Sequence, residues 1–223
     1  MTGLTELFKQ HNKIFVTGTD TEVGKTYCSC LMLDALNEQG IEAFPFKPIS
    51  AGTEYDKNFG RQVNEDAKDL YQASNAKYRL EQINPIVFES AIAPHIAAKQ
   101  VGAELNFAML DRAFDKVDEL GEVQLIEGAG GWLLPLNDEQ LLSDWVAHHK
   151  LPVIMVVSIK LGCLNHALLT AQAIKNSGCE LIGWIANFNQ GETEIGRENL
   201  SFIKQKLVAP LLFEVRKDQT NLG

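Results

Sequence analysis

Lys13-Ile-Phe-Val-Thr-Gly-Thr-Asp-Thr-Glu-Val-Gly-Lys-Thr26 reads as a short apolar strand, a glycine-bounded turn and the opening of a helix. The helix is expected from about Gly24 to Gln39, closed by Gly40. A loop of this kind at a helix N-terminus presents backbone N–H donors to phosphate, and the helix dipole adds positive potential. Lys25 would reach the β- and γ-phosphates, and the Thr26 hydroxyl would ligate Mg²⁺. Five residues, not four, separate Gly18 from Gly24, so Thr19 holds the usual first-glycine position. A glycine turn with a surface lysine is the plain alternative. The order strand, loop, Gly-Lys-Thr, helix favours a nucleotide.

The same alternation repeats outward from this stretch. Glu42-Ala-Phe-Pro-Phe-Lys47 is the next expected strand, with Pro45 placing it near a sheet edge or a bulge. Asp66 to Ala73 reads as a short helix, Asn84-Pro-Ile-Val-Phe88 as a further strand, and Ala91 to Gly102 is ambiguous. Phe107, Leu110, Phe114 and Val117 keep helical spacing up to Gly121. Then come Val123-Gln-Leu-Ile-Glu127, a helix from about Gln140 to His149, and Pro152-Val-Ile-Met-Val-Val157. A helix from about Asn165 to Asn176, the strand Leu181-Ile-Gly-Trp-Ile-Ala186, a helix near Thr193 to Leu207 and Pro210-Leu-Leu-Phe-Glu-Val215 complete the pattern. Such alternation predicts a three-layer α/β fold, a mostly parallel sheet flanked by helices on both faces, in one domain over residues 1–223. In such sheets ligands sit beyond the carboxyl ends of the strands.

Composition narrows the function classes. At 223 residues with 45% apolar and 22% charged residues, the chain has the make-up of a globular domain rather than a disordered one. Twenty basic against 29 acidic residues give a net charge of −9, which argues against nucleic acid or an anionic membrane as partner. The segment Met1 to Lys13 is polar and mixed, and Val153 to Val157 is a strand-length apolar run, so a cytoplasmic protein without a membrane span is expected. Cys28, Cys30, Cys163 and Cys179 lack paired spacing, and neither a disulfide nor a metal role is expected.

Two strand ends and one helix start carry chemistry. Glu127 ends the run Val-Gln-Leu-Ile and precedes Gly128-Ala-Gly-Gly131, so a carboxylate at a buried tip faces the crevice; an ordinary turn acid is the alternative. Asp66 lies in Asn64-Glu-Asp-Ala67, where acids also gather for helix-dipole reasons alone. Lys47, opening Lys47-Pro-Ile-Ser-Ala-Gly52, would bring a second cation to the crevice, against the reading of a solvated lysine.

Together these motifs resemble the dethiobiotin synthetase family. The matching strings are Gly18 to Thr26, Lys47 to Gly52, Asp66, Glu127-Gly-Ala-Gly-Gly-Trp132, Lys160-Leu-Gly-Cys-Leu-Asn-His166 and Trp184-Ile-Ala-Asn187, in family order over roughly residues 13 to 190. The resemblance implies a homodimer that converts 7,8-diaminononanoate, CO₂ and MgATP into dethiobiotin, ADP and phosphate through a carbamate and its phosphoric anhydride. It implies catalysis by Lys25, Lys47 and Thr21, and Mg²⁺ held by Thr26, Asp66 and Glu127. Nucleotide contacts would come from Glu22, Val23, Gly24, Lys25, Thr26, Tyr27, Asp66, Glu127, Gly128, Ala129 and Gly130, with Asn187 reading the adenine. Substrate contacts would come from Lys47 and Ala51, and from Gly162, Cys163, Leu164 and Asn165 of the partner subunit. An N-capping role for Asn165 and a packing role for Cys163 compete or coexist with this.

Ala51 stands where the family has Ser or Thr, with Ser50 one residue earlier, so a hydroxyl contact to substrate is expected to be lost or shifted. The family's tyrosine near the substrate tail is replaced around Asn199, and Glu214-Val-Arg-Lys217 replaces a proline after the last strand. A paralogue acting on a related substrate is one alternative. Another is a partition-type switch ATPase, although Asp20 occupies the place of that group's extra lysine. A small-metabolite kinase is the third. His95 could line the crevice or simply be packed or solvated, His148 and His149 suit a helix C-terminus, and Trp132, Trp145 and Trp184 read as core or interface aromatics.

Overall fold

Strand adjacency in a twisted parallel sheet determines what stands beside the loop after the first strand. The computed structural model describes residues 2–222; Met1 and Gly223 lie outside the described residues. In chain order the elements are α1 (Thr2–Gln10), β1 (Lys13–Gly18), α2 (Lys25–Glu38), β2 (Ala43–Phe46), β3 (Ile49–Ala51), β4 (Glu54–Asp56) and β5 (Arg61–Val63). There follow α3 (Glu65–Ala73), α4 (Leu80–Ile83), β6 (Ile86–Phe88), α5 (Pro94–Gln100), α6 (Phe107–Asp115) and β7 (Val123–Glu127). The last are α7 (Leu142–His148), β8 (Val153–Ser158), α8 (Cys163–Asn176), β9 (Leu181–Phe188), α9 (Glu194–Lys206) and β10 (Leu211–Arg216).

The central sheet has the order β10-β9-β8-β1-β7-β2, and every pairing in it is parallel. All six residues of β8 and all five of β7 are buried, which requires cover on both faces. β-Branched and aliphatic residues dominate these strands because both faces pack against helices rather than water. Pro45 sits in β2, an edge strand paired to β7 alone, as its missing N–H demands.

Several sequence expectations are corrected. The strand around 84–88 is not part of the central sheet: β6 pairs with β3 in a two-stranded ladder, Ser50 opposite Val87. The helix expected from Asn165 starts two residues earlier, at Cys163, after Gly162 with φ +90°. Asn165 therefore lies inside the first turn and is not the N-cap, because glycine reaches a left-handed cap without strain. Residues 2–10, read only as a polar lead, form α1, which buries Leu4 and Phe8 one turn apart. The ambiguous stretch after Ala91 resolves as α5, started by Pro94 at its first turn. Trp132, Trp145 and Trp184 are buried in the core rather than displayed on a surface.

The register delivers the site. Val16 pairs with Glu127, and Phe46 pairs with Ile126, so Lys47 leaves β2 directly beside Glu127 at the carboxyl edge. Gly128 then turns under the β1 side chains: a Cβ there would stand 2.8 Å from Cζ of Phe15. Gly128→Ala should therefore force Phe15 out of its packing and cost about 1–3 kcal/mol, read by denaturant unfolding; an unchanged midpoint would contradict this close approach.

Candidate active site

The loop after β1 is held open by the end of β9. Gly24 precedes α2 with φ +86°, and a Cβ on it would lie 2.2 Å from Nδ2 of Asn187, so both backbone and space require glycine. Glu22 also has positive φ, +58°. Asn187 donates through Nδ2 to the Val23 carbonyl at 2.9 Å, and Asn189 to the Glu22 carbonyl at 3.2 Å. Asn189 accepts in turn from Ser158 Oγ at 2.5 Å. Two amides thus pin the strained part of the loop, while the first N–H groups of α2 are left without partners inside the helix.

Around this loop lies a cleft of about 1110 Å³. It is lined by Thr21, Glu22, Gly24, Lys25, Thr26 and Tyr27, then by Lys47, Ser50, Ala51, Asn64 and Asp66, and by Ala129 and Gly130 across from them. Residues from four separate sequence motifs therefore share one cavity. Glu127, at 0% exposure, lies beneath it; Val23 and Asn187, each at 1%, also sit behind the wall rather than on it. Gly128 is not on the wall either, and neither are Gly162, Cys163, Leu164 and Asn165 of the same chain.

The charges are tightly arranged. Lys47 Nζ lies 2.8 Å from Glu127 Oε1 and 3.0 Å from Asp66 Oδ2, and the side chain is only 3% exposed. Thr26 Oγ1 donates to the same Glu127 oxygen at 2.7 Å. Lys25 Nζ reaches across the loop to the Gly130 carbonyl at 2.7 Å. Burial disfavours the Lys47 ammonium, but Glu127 and Asp66 outweigh it and hold its pKa above the ordinary lysine value. Lys25 goes the other way: burial, helped by the neighbouring Lys47 cation, lowers its pKa against the pull of Glu127. Burial likewise opposes ionisation of Asp66, yet Lys47 leads the charges and hydrogen bonds that keep its pKa below the usual range. Two cations and two carboxylates thus converge at the mouth of one phosphate-type loop.

The donor set also suits a hard divalent cation. Thr26, Asp66 and Glu127 offer oxygen ligands only, and Glu127 Oε2 is buried without a hydrogen-bond partner. Among the described residues no three His, Cys, Asp or Glu side chains are grouped closely enough to cage a metal. A cation here would take its remaining ligands from phosphate oxygens and water, as Mg²⁺ commonly does.

Other expected residues find different settings. Ala51 is on the cleft wall, but the Ser50 hydroxyl is turned away to Asn84 Oδ1 at 2.7 Å. His95 does not line the cleft, and its Nδ1 is buried without a partner. His149 bonds Asp111 at 2.9 Å beside Trp145, on the α6–α7 side of the molecule. Cys28 and Cys30 are free thiols whose pKa burial pushes up, consistent with packing rather than reactivity. Beyond the motifs, the cleft includes Cys30, Asp34 and Asp69 on α2 and α3 and Ala91 to Pro94 before α5. Asn64 caps α3 through Ala67 N at 3.2 Å and ties its start to the Gly52 carbonyl at 2.8 Å. That double role fixes Asp66 beside the Lys47 turn; sequence reasoning missed it, although the order Asn-Glu-Asp carries a signal for its N-cap half alone.

A family model described as an AAA domain matches residues 12–220. An ATP-dependent dethiobiotin synthetase from Aliivibrio fischeri is 44% identical over 201 residues, covering 90% of this chain and 88% of the relative. The synthetase from Baumannia cicadellinicola is 40% identical over 91% of this chain and 89% of its own. The protein belongs to the ATP-dependent dethiobiotin synthetase family. Among solved structures, a ParA family ATPase from Chlorobium tepidum aligns with TM-score 0.56 at 16% identity, over 93% of this chain and 85% of that one. The septum site-determining protein MinD from Pyrococcus horikoshii, a complex with Mg-ADP, aligns at 0.53 and 16%, over 92% and 82%. These two share the fold, and the sequence relatives do not favour the switch-ATPase reading.

Lys47→Met leaves the Glu127 and Asp66 carboxylates without the ammonium that joins them. It should cost about 3–5 kcal/mol near neutral pH. Because the Asp66 pKa is depressed in the folded protein, the stability it contributes is present above the ordinary carboxylate range and is lost as pH falls through its folded value. The Lys47 contribution is present below the ordinary lysine pKa and is lost as pH rises through its elevated folded value. Urea melts of both proteins from pH 3 to pH 8 should show the gap between them shrinking on acidification; a gap independent of pH would contradict the pairing.

Proposed function

We propose that the protein closes the ureido ring of dethiobiotin from 7,8-diaminononanoate, CO₂ and ATP. What carries the reading is the pair Lys25 and Lys47 at one cleft, with Lys47 between Glu127 and Asp66, in a chain of this family. One substrate amine adds to CO₂ and releases a proton, giving a carbamate. The carbamate oxygen then takes the γ-phosphoryl group, and ADP leaves. The second amine attacks the carbonyl carbon of the mixed anhydride, phosphate departs, and a second proton is lost. Two anions must approach in line, so positioning and fixed positive charge supply most of the acceleration.

Lys25 and the loop N–H groups hold the β- and γ-phosphates, and Lys47 faces the carbamate. Thr21 lines the same wall and orients the reacting end of the substrate. Thr26, Asp66 and Glu127 would hold Mg²⁺, which screens phosphate charge when bound. Asn187 lies behind the loop with its Oδ1 buried and without a hydrogen-bond partner, and that oxygen must be uncovered to read the adenine amino group. The Gly162–Asn165 turn of the partner subunit would receive the substrate carboxylate through the first N–H groups of α8 in a homodimer. We assign the protein to the cytoplasm; no helix among the described residues is long and apolar enough to cross a membrane.

Incubation with 7,8-diaminononanoate, isotopically labelled bicarbonate and MgATP should yield a labelled ureido product by mass spectrometry. ATP turnover without that product, or a stable phosphorylated diamine, would overturn the proposal. Lys47→Ala should lower ring closure at least ~100-fold while leaving ATP affinity within a few-fold, measured on folded protein. Glu127→Gln should raise the Mg²⁺ concentration for half-maximal rate; an unchanged titration would remove Glu127 from the metal site.

A further inference from the structure

We propose that Asn84 is a positioning residue for Lys47, and that Ser50, though on the cleft wall, acts through Asn84 rather than on substrate. The inference rests on the role of Lys47 proposed above. Lys47 lies just past the last residue of edge strand β2, where the sheet no longer holds its backbone. Its N–H donates instead to the Ile83 carbonyl at 2.7 Å, and its carbonyl accepts from Asn84 Nδ2 at 2.7 Å. The next residue, Pro48, has no N–H to contribute, and its carbonyl accepts from Ile86 N at 3.2 Å. Both polar groups of the Lys47 backbone are therefore fixed by residues 83 and 84, which lie across the chain from β2.

Chemistry determines which way the Asn84 amide faces. A backbone carbonyl only accepts, so the NH₂ must point at Lys47 and Oδ1 must point the other way. There it accepts the Ser50 hydroxyl proton at 2.7 Å. Ser50 is 1% exposed and Asn84 5%, and Asn84 does not line the cleft. Asn84 thus holds both ends of the Lys47–Ser50 turn without reaching the reacting atoms. The hydroxyl that Ala51 lacks is not replaced from Ser50, because Ser50 spends its one proton on this amide. An ammonium on a flexible four-carbon stem is directed by its backbone anchor and its two carboxylates together. Releasing the anchor lets it lag behind the carbamate position.

The test uses the full chain with 7,8-diaminononanoate, bicarbonate and MgATP, alongside melting temperatures. Asn84→Ala and Asn84→Asp should lower kcat about 10–100-fold and leave the KM for ATP within about threefold. The Asp variant keeps the shape but sets an oxygen against the Lys47 carbonyl. Ser50→Ala should cost a smaller factor, and the Asn84→Ala/Ser50→Ala double variant should be no slower than Asn84→Ala alone. Near-wild-type kcat in either Asn84 variant, or a Ser50 effect that multiplies in full on the Asn84→Ala background, would overturn the proposal.

Acetic anhydride labelling followed by peptide mass spectrometry reads the same latch without turnover. Lys47 should label several-fold faster, relative to exposed Lys57, in Asn84→Asp or Ser50→Ala than in wild type. Unchanged labelling in both would overturn the latch. Absence of ureido product from the wild type would instead remove the proposed reaction while leaving this measurement intact. Should Asn84→Ala fail to fold, Ser50→Ala carries both readouts, and its indifference in both would likewise count against the proposal.

Discussion

A buried ammonium between two carboxylates organises the functional end of this protein. Lys47, Glu127 and Asp66 come from three elements, and each would be costly to bury alone. Glu127 is wholly enclosed at the tip of β7, so its charge is tolerable only with Lys47 and the Thr26 hydroxyl beside it. Asp66 is half-exposed and closes the set from α3. The same polar groups that stabilise one another in the resting site are those that would meet phosphate, metal and carbamate. Lys25, with its pKa lowered by burial and by Lys47, stands next to this set across the loop.

The sheet makes that meeting possible. Parallel strands lie under 5 Å apart, so residues that follow paired positions emerge as neighbours. Phe46 opposite Ile126 and Val16 opposite Glu127 place the Lys47 turn, the buried glutamate and the phosphate loop side by side. The loop is braced from the far side of β1 by Asn187 and Asn189, which satisfy the carbonyls of Val23 and Glu22. Its geometry therefore depends on β8 and β9 as much as on its own glycines.

Much of this was legible in the chain. Continuous apolar runs separated by helical spacing yield the parallel α/β sheet, because strands buried on both faces cannot alternate. Gly24-Lys-Thr26 after a strand, and Glu127 before small residues, have few competing explanations at strand tips. Less visible were α1, whose Leu4 and Phe8 sit in a mixed segment, and β3, whose three residues are too short to show a period; β6 reads as a strand, but its pairing with β3 does not show in the sequence. Asn165 looked like a cap because capping residues are recognised by type. Gly162 took that place because positive φ is easier for glycine.

The sequence by itself determined the strand–loop–helix to which we assign phosphate and the chemical types gathered at the strand ends, since local turn geometry and burial act on neighbouring residues. Tertiary structure alone decided which of those residues touch. Lys47 and Glu127 are 80 positions apart, and Asn84 stands 37 from Lys47. No local rule links an asparagine after a four-residue helix to a lysine beyond an edge strand. That link arises because the edge strand runs out of sheet partners, and its last backbone groups must find hydrogen bonds wherever the folded chain supplies them.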